Sequence, residues 1–73
     1  MLATSEQDVQ VRQLRQLVRK RAMYKPTGNG SVDLKFYQNK DAEIVDLIKR
    51  LEGSSHLYVT SAAFKTLKKD YVL

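Results

Sequence analysis

Cysteine and tryptophan are both missing from the 73 residues, and proline, histidine and glycine are scarce, at one, one and three. Without cysteine there is no disulfide framework and no thiolate zinc site to reinforce the fold. No uninterrupted apolar run approaches the roughly 18 residues of a membrane span, which reads as a soluble, cytoplasmic protein. Met1 to Gln10 carry acids and amides where a secretory leader needs a basic start and an apolar stretch, so no export is expected. Nor is there length for a second domain.

What is abundant is positive charge. Thirteen Lys and Arg face eight Asp and Glu, a formal charge of +5, while 42% of residues are hydrophobic, enough to fold. A chain of this size buries only about 60% of the surface its unfolded form exposes. Each ordered residue also costs roughly 1.5 kcal/mol of conformational entropy. The core is therefore thin, and a second chain or a bound partner is the expected supplement.

Thr4 to Tyr24 reads as a helix, starting at Thr4 or Ser5, which have Gln7 and Asp8 three residues on in capping-box fashion. Val11, Leu14, Leu17, Val18 and Ala22 fall on one side of its wheel, and Arg12, Arg15 and Arg19 on the other. Pro26 stops it, and a flexible connector over 26–30 separates this basic amphipathic segment, 1–25, from the remainder. Ser31 to Tyr37 alternates, with Val32, Leu34 and Phe36 on one face and Ser31, Asp33, Lys35 and Tyr37 on the other, as in a half-buried strand. Asn39 is placed to cap a helix with Asp41 and Glu43 in its first turn and Ile44, Val45, Ile48 and Leu51 as its apolar stripe. Lys49 and Arg50 close that helix, and Gly53 is the expected left-handed stop.

Beyond Gly53 two readings stay open. Ser54 or Ser55 caps a long helix running to about Asp70, or Leu57 to Thr60 is a short strand with Ser61 capping a shorter helix. Leu57, Tyr58, Val59, Ala62, Ala63, Phe64, Leu67 and Tyr71 surround most of a helical wheel and ask for neighbours on several sides.

Little here supports catalysis. His56 is alone, and its neighbours Ser54 and Ser55 are too close in sequence to form a triad with it. Asp41, Glu43 and Asp46 invite a metal reading, yet acids in a first helical turn are expected from the helix dipole alone. Gly28, Asn29 and Gly30 lack the spacing and the Lys-Ser/Thr ending of a phosphate loop. No metal, no cofactor and no reaction are expected. Arg12, Arg15, Arg19, Lys20, Arg21 and Lys25, by contrast, gather positive charge in one segment, for which a polyanion is the natural partner. A merely solvated face is the plain alternative. Adsorption to a membrane surface is disfavoured by the lack of aromatic anchors on the apolar side.

The alternating Val32 to Tyr37, the helix Asp41 to Glu52, the Gly53-Ser54-Ser55 turn, and Tyr58-Val59 followed by Ala62 together resemble the ribbon-helix-helix family of DNA-binding proteins, the Arc and MetJ type. The resemblance covers roughly residues 31–70, within a unit of 31–73 that the basic helix and the connector precede. It implies a mostly helical fold with one short strand, two copies pairing their strands into a ribbon that enters the major groove of double-stranded DNA. It further implies that Ser31, Asp33, Lys35 and Tyr37 read bases. Ser54, Ser55 and His56 would then hold a phosphate at a helix start. Arg12, Arg15, Arg19 and Lys20 would add backbone affinity.

The leading expectation is thus a homodimeric, sequence-specific DNA-binding protein, such as a transcriptional repressor or a plasmid partition or relaxosome factor. The alternative is a small protein-interaction module, of the phage inhibitor or adaptor kind, that docks its basic helix on an acidic protein surface. In that case Leu57 to Thr60 pairs with Val32 to Tyr37 in a small α/β core. RNA binding ranks third, since Phe36 and Tyr37 would point to opposite faces of a strand.

Overall fold

The computed structural model describes residues 5–72, which form three helices in the order α1 (Glu6–Met23), α2 (Gly30–Glu52) and α3 (Ala62–Tyr71), with a 3₁₀ turn at Leu57–Thr60 before α3. Among the described residues there is no strand. This corrects the expected fold class: a ribbon-helix-helix unit needs a strand at Ser31 to Tyr37, and those residues are the opening turns of α2. The two-strand α/β alternative falls for the same reason.

The cause lies in the helix start. Asn29, not Asn39, is the cap: its side-chain oxygen accepts from the amides of Ser31 at 3.1 Å and Val32 at 3.3 Å. Once capped there, the chain continues into the segment anchored by Ile44, Ile48 and Leu51, all fully buried. Extending an existing helix adds a hydrogen bond for each residue fixed, whereas an isolated strand has no partner for its edges. The alternation of Val32, Leu34 and Phe36 is overridden. Val32 and Leu34 stay 48% and 57% exposed, and Asp33, Phe36, Tyr37 and Lys40 turn toward the rest of the protein at helical spacing.

α1 begins where the sequence places it. Ser5 and Asp8 form the reciprocal capping box, with Ser5 Oγ accepting from the Asp8 amide at 3.1 Å and Asp8 Oδ2 accepting from the Ser5 amide at 3.4 Å. The alternative start at Thr4 lies outside the described residues. The helix ends at Met23, and the connector returns along α2, pinned by Asp33. Gly28 takes a left-handed φ of 87° in it, a conformation that suits glycine alone. Gly53 does not: its φ of −82° is ordinary right-handed backbone. α2 stops there because the amide and hydroxyl of Ser54 both donate to the Leu51 carbonyl, at 2.9 and 2.7 Å.

Of the two readings past Gly53, neither is complete. Ser61 does cap a short helix, its hydroxyl oxygen accepting from the Phe64 amide at 3.2 Å. Leu57 to Thr60, however, is a 3₁₀ turn capped by His56 and not a strand, and no long helix starts at Ser54 or Ser55.

α2 is the element against which α1 and α3 both pack. The buried core is Val11 and Leu14 of α1, Ile44, Ile48 and Leu51 of α2, and Phe64 of α3, with Tyr58 set edge-on to Phe64 at 5.8 Å between centroids. The protein measures 45 × 31 × 17 Å. The shortest dimension is under two helix diameters of about 10–12 Å, so the helices lie nearly in a layer, with little apolar surface enclosed.

The cap assignment separates two variants. Asn29→Ala is expected to lower stability by about 1 kcal/mol, while Asn39→Ala, at an exposed mid-helix site, stays within about 0.5 kcal/mol of wild type. Urea denaturation checks this, and a larger loss at Asn39 would restore the later helix start.

Candidate functional site

The residues expected to read bases do not share a surface. On a helix, positions two apart differ by about 200°, so Ser31 and Lys35 face solvent while Asp33 and Tyr37 turn inward. Asp33 Oδ1 accepts from the Tyr24 hydroxyl at 2.8 Å and from the amide and hydroxyl of Thr27 at 3.0 and 3.1 Å, fastening the connector to α2. Tyr37 belongs to an aromatic group with Tyr24 and Phe36, the last two stacked at 3.8 Å. A ribbon that presents these four side chains together is not built.

The expected phosphate clamp is also engaged elsewhere. Ser54 Oγ donates to Leu51 and accepts from the His56 amide at 3.3 Å, while Ser55 is exposed. His56 Nδ1 accepts from the Tyr58 amide at 3.0 Å, which leaves the ring proton on Nε2, facing Asp8 Oδ1 at 2.6 Å. The clasp joins residues 48 apart in sequence and ties the start of α1 to the turn before α3. His56 and Ser5 together hold the Asp8 carboxyl below its ordinary value. A carboxylate beside His56 repels the anion that this turn was expected to bind.

The basic residues of α1 divide into two groups. Arg21 is structural: its Nε donates to Asp41 at 2.5 Å, and its guanidinium lies 4.9 Å from the centre of the Tyr37 ring and 5.7 Å from that of Tyr71. The bond to Asp41 holds Arg21 charged beyond the ordinary range. Arg12, Arg15 and Arg19 are exposed, and among the described residues none has an ion-pair partner. They stand along one wall of a groove of about 910 Å³ between α1 and α3. Its floor is apolar, made of Val11, Val18, Tyr58 and Leu67, and its opposite wall is the small pair Ala63 and Thr66. Lys20 borders a different, mixed-charge depression between α1 and α2.

No family model, curated protein or solved structure matches the chain. The groove must be read from its own chemistry. Among the described residues no group of three or more His, Asp or Glu side chains is placed to hold a metal ion, and no helix is long and apolar enough to cross a membrane. What the groove offers is a row of free guanidinium groups above an apolar trough, an arrangement for binding.

The arginines were visible in the sequence as a stripe. The groove was not, because it depends on where α3 lies relative to α1, and the α1 residues Val11 and Val18 read from the wheel simply as core.

Asp33 yields a pH test. The Thr27 amide first, then the Tyr24 hydroxyl, hold its carboxyl below the ordinary 3.8, and the same bond keeps the Tyr24 phenol protonated above its usual range. A depressed carboxyl adds stability that is fully present above its unfolded value and is lost as pH falls through the folded one. The urea midpoint of wild type should therefore exceed that of Asp33→Asn from neutral pH down to the ordinary value of 3.8, and the gap should close in stronger acid. A gap unchanged in acid would mean that the charge does not hold the connector.

Proposed function

We propose that the protein is a non-catalytic interaction module that docks an acidic segment of a partner protein against the α1 arginines. The observation that carries this reading is the pairing of Arg12, Arg15 and Arg19 with an apolar groove floor. Cation rows alone suit any polyanion, including the double-stranded DNA of the leading expectation. A phosphate backbone, however, leaves Val11, Val18, Tyr58 and Leu67 uncovered, whereas a protein segment brings acids and apolar side chains together.

Magnitudes point the same way. Exposed ion pairs contribute roughly 0.2–1 kcal/mol each, so three of them fall well short of the about 8 kcal/mol behind a micromolar complex. Most of the affinity has to come from covering apolar surface at about 25 cal/mol per Å², with the arginines steering and selecting the partner. The homodimer expected from strand pairing has no such support, since the strands that would pair are absent among the described residues.

The test compares acidic, leucine-containing 20-residue peptides with a 20-base-pair duplex by fluorescence anisotropy. Acidic peptides are expected to bind, and Arg15→Glu to weaken them about three- to tenfold, the loss of an exposed ion pair of roughly 0.2–1 kcal/mol plus a like-charge repulsion of similar size. Duplex binding with no peptide binding, or indifference to Arg15→Glu, would overturn the reading.

A further inference from the structure

The groove has the dimensions of a missing helix. α1 lines it from Asp8 to Ala22, which at 1.5 Å per residue is about 21 Å, or some 14 residues of a helix lying alongside. Tyr58, Val18 and Leu67 on its floor are only partly buried by the three helices present, although they pack against the core. Its walls carry Ala22, Ala63 and Thr66, small enough for another backbone to approach at the 8–10 Å of packed helices. α1 and α3 both rest on α2, and a fourth helix laid between them on the open side would turn a layer 17 Å thick into a closed bundle.

We infer that the occupant is an amphipathic acidic helix of about four turns, supplied by a partner protein. This rests on the docking reading above and specifies its conformation. The charge pattern sets the register. Arg12, Arg15 and Arg19 are spaced three and four apart and so share one side of α1. Acids at the matching i, i+3 or i+4, and i+7 positions of the occupant face them. Its apolar stripe, on the adjoining side, covers Val18, Tyr58 and Leu67. Asp8 stands at one end of the groove, so the acids belong opposite the arginines and not along the whole length.

The test uses full-length protein and designed probes. One 18-residue peptide carries leucines at i, i+3, i+4 and i+7 with glutamates flanking them. A second has the same composition and charge in an order that destroys the stripe, and a third keeps the first order but has a central proline. The first peptide should bind and gain helical circular dichroism, with amide shifts at Val18, Tyr58, Ala63 and Leu67. The scrambled and proline peptides should bind at least tenfold more weakly. Ala63→Trp and, separately, Thr66→Trp fill the groove from an exposed position and should weaken the first peptide tenfold with the thermal midpoint retained; either variant that keeps its fold serves. Equal binding of the three peptides would overturn the helical occupant while leaving acidic docking intact. Binding of a 20-base-pair duplex and of none of the peptides, or of neither, would overturn both.

Discussion

An apolar seam along one side of α2 sets the rest of the molecule. Ile44, Ile48 and Leu51 are fully buried, with Leu14 closing the seam from α1 and Phe64 from α3. Because these side chains recur at helical spacing, they commit the chain around them to helix, and the capped start at Asn29 extends that helix over Val32, Phe36 and Tyr37 despite their own β preference. Truncating such a side chain to alanine typically costs about 2–5 kcal/mol. In a core of six buried residues that is a large share of all the stability a small domain has.

The remaining contacts fix how the helices sit on that seam. At one end Asp33 gathers Tyr24 and Thr27, while Arg21 meets Asp41 between two tyrosine rings. At the other end Asp8 meets His56, and Lys68 pairs with Glu52. Of the polar groups that a reading of the sequence nominates for DNA, these bonds engage Asp33, Tyr37 and His56, while Ser31, Lys35, Ser55 and Lys20 stay exposed. Left over as well are Arg12, Arg15 and Arg19, which no helix neighbour pairs with, and they border the groove between α1 and α3.

How much of this was legible follows from the range of each interaction. The capping box of Ser5 and Asp8, the stop before Pro26, the Ile44-Ile48-Leu51 stripe and the Ser61 cap are local, and all can be read from residues three or four apart. Ser31 to Tyr37 was misread because a short window of alternating residues satisfies the strand pattern, and because Asn39 is as good a cap by type as Asn29. What decides between them is the fastening of Asp33 to Tyr24 and Thr27 across the connector, together with the pull of the downstream seam. The glycine assignment failed likewise: Gly53 follows a helix, yet Ser54 satisfies the last carbonyl, and the left-handed position falls at Gly28. The Asp8–His56 clasp and the groove join distant segments, and nothing in the local pattern announces either.

The central claim is that α2 runs unbroken from Gly30 to Glu52 and holds the other two helices on one seam. Nuclear Overhauser contacts in the free protein test it most directly. The account predicts sequential amide–amide contacts continuing from Ser31 through Glu52, together with contacts from the Tyr24 ring to that of Phe36. Strand-type Hα–Hα contacts between two copies over Val32 to Phe36 would contradict it, and with it the groove that the arginines line.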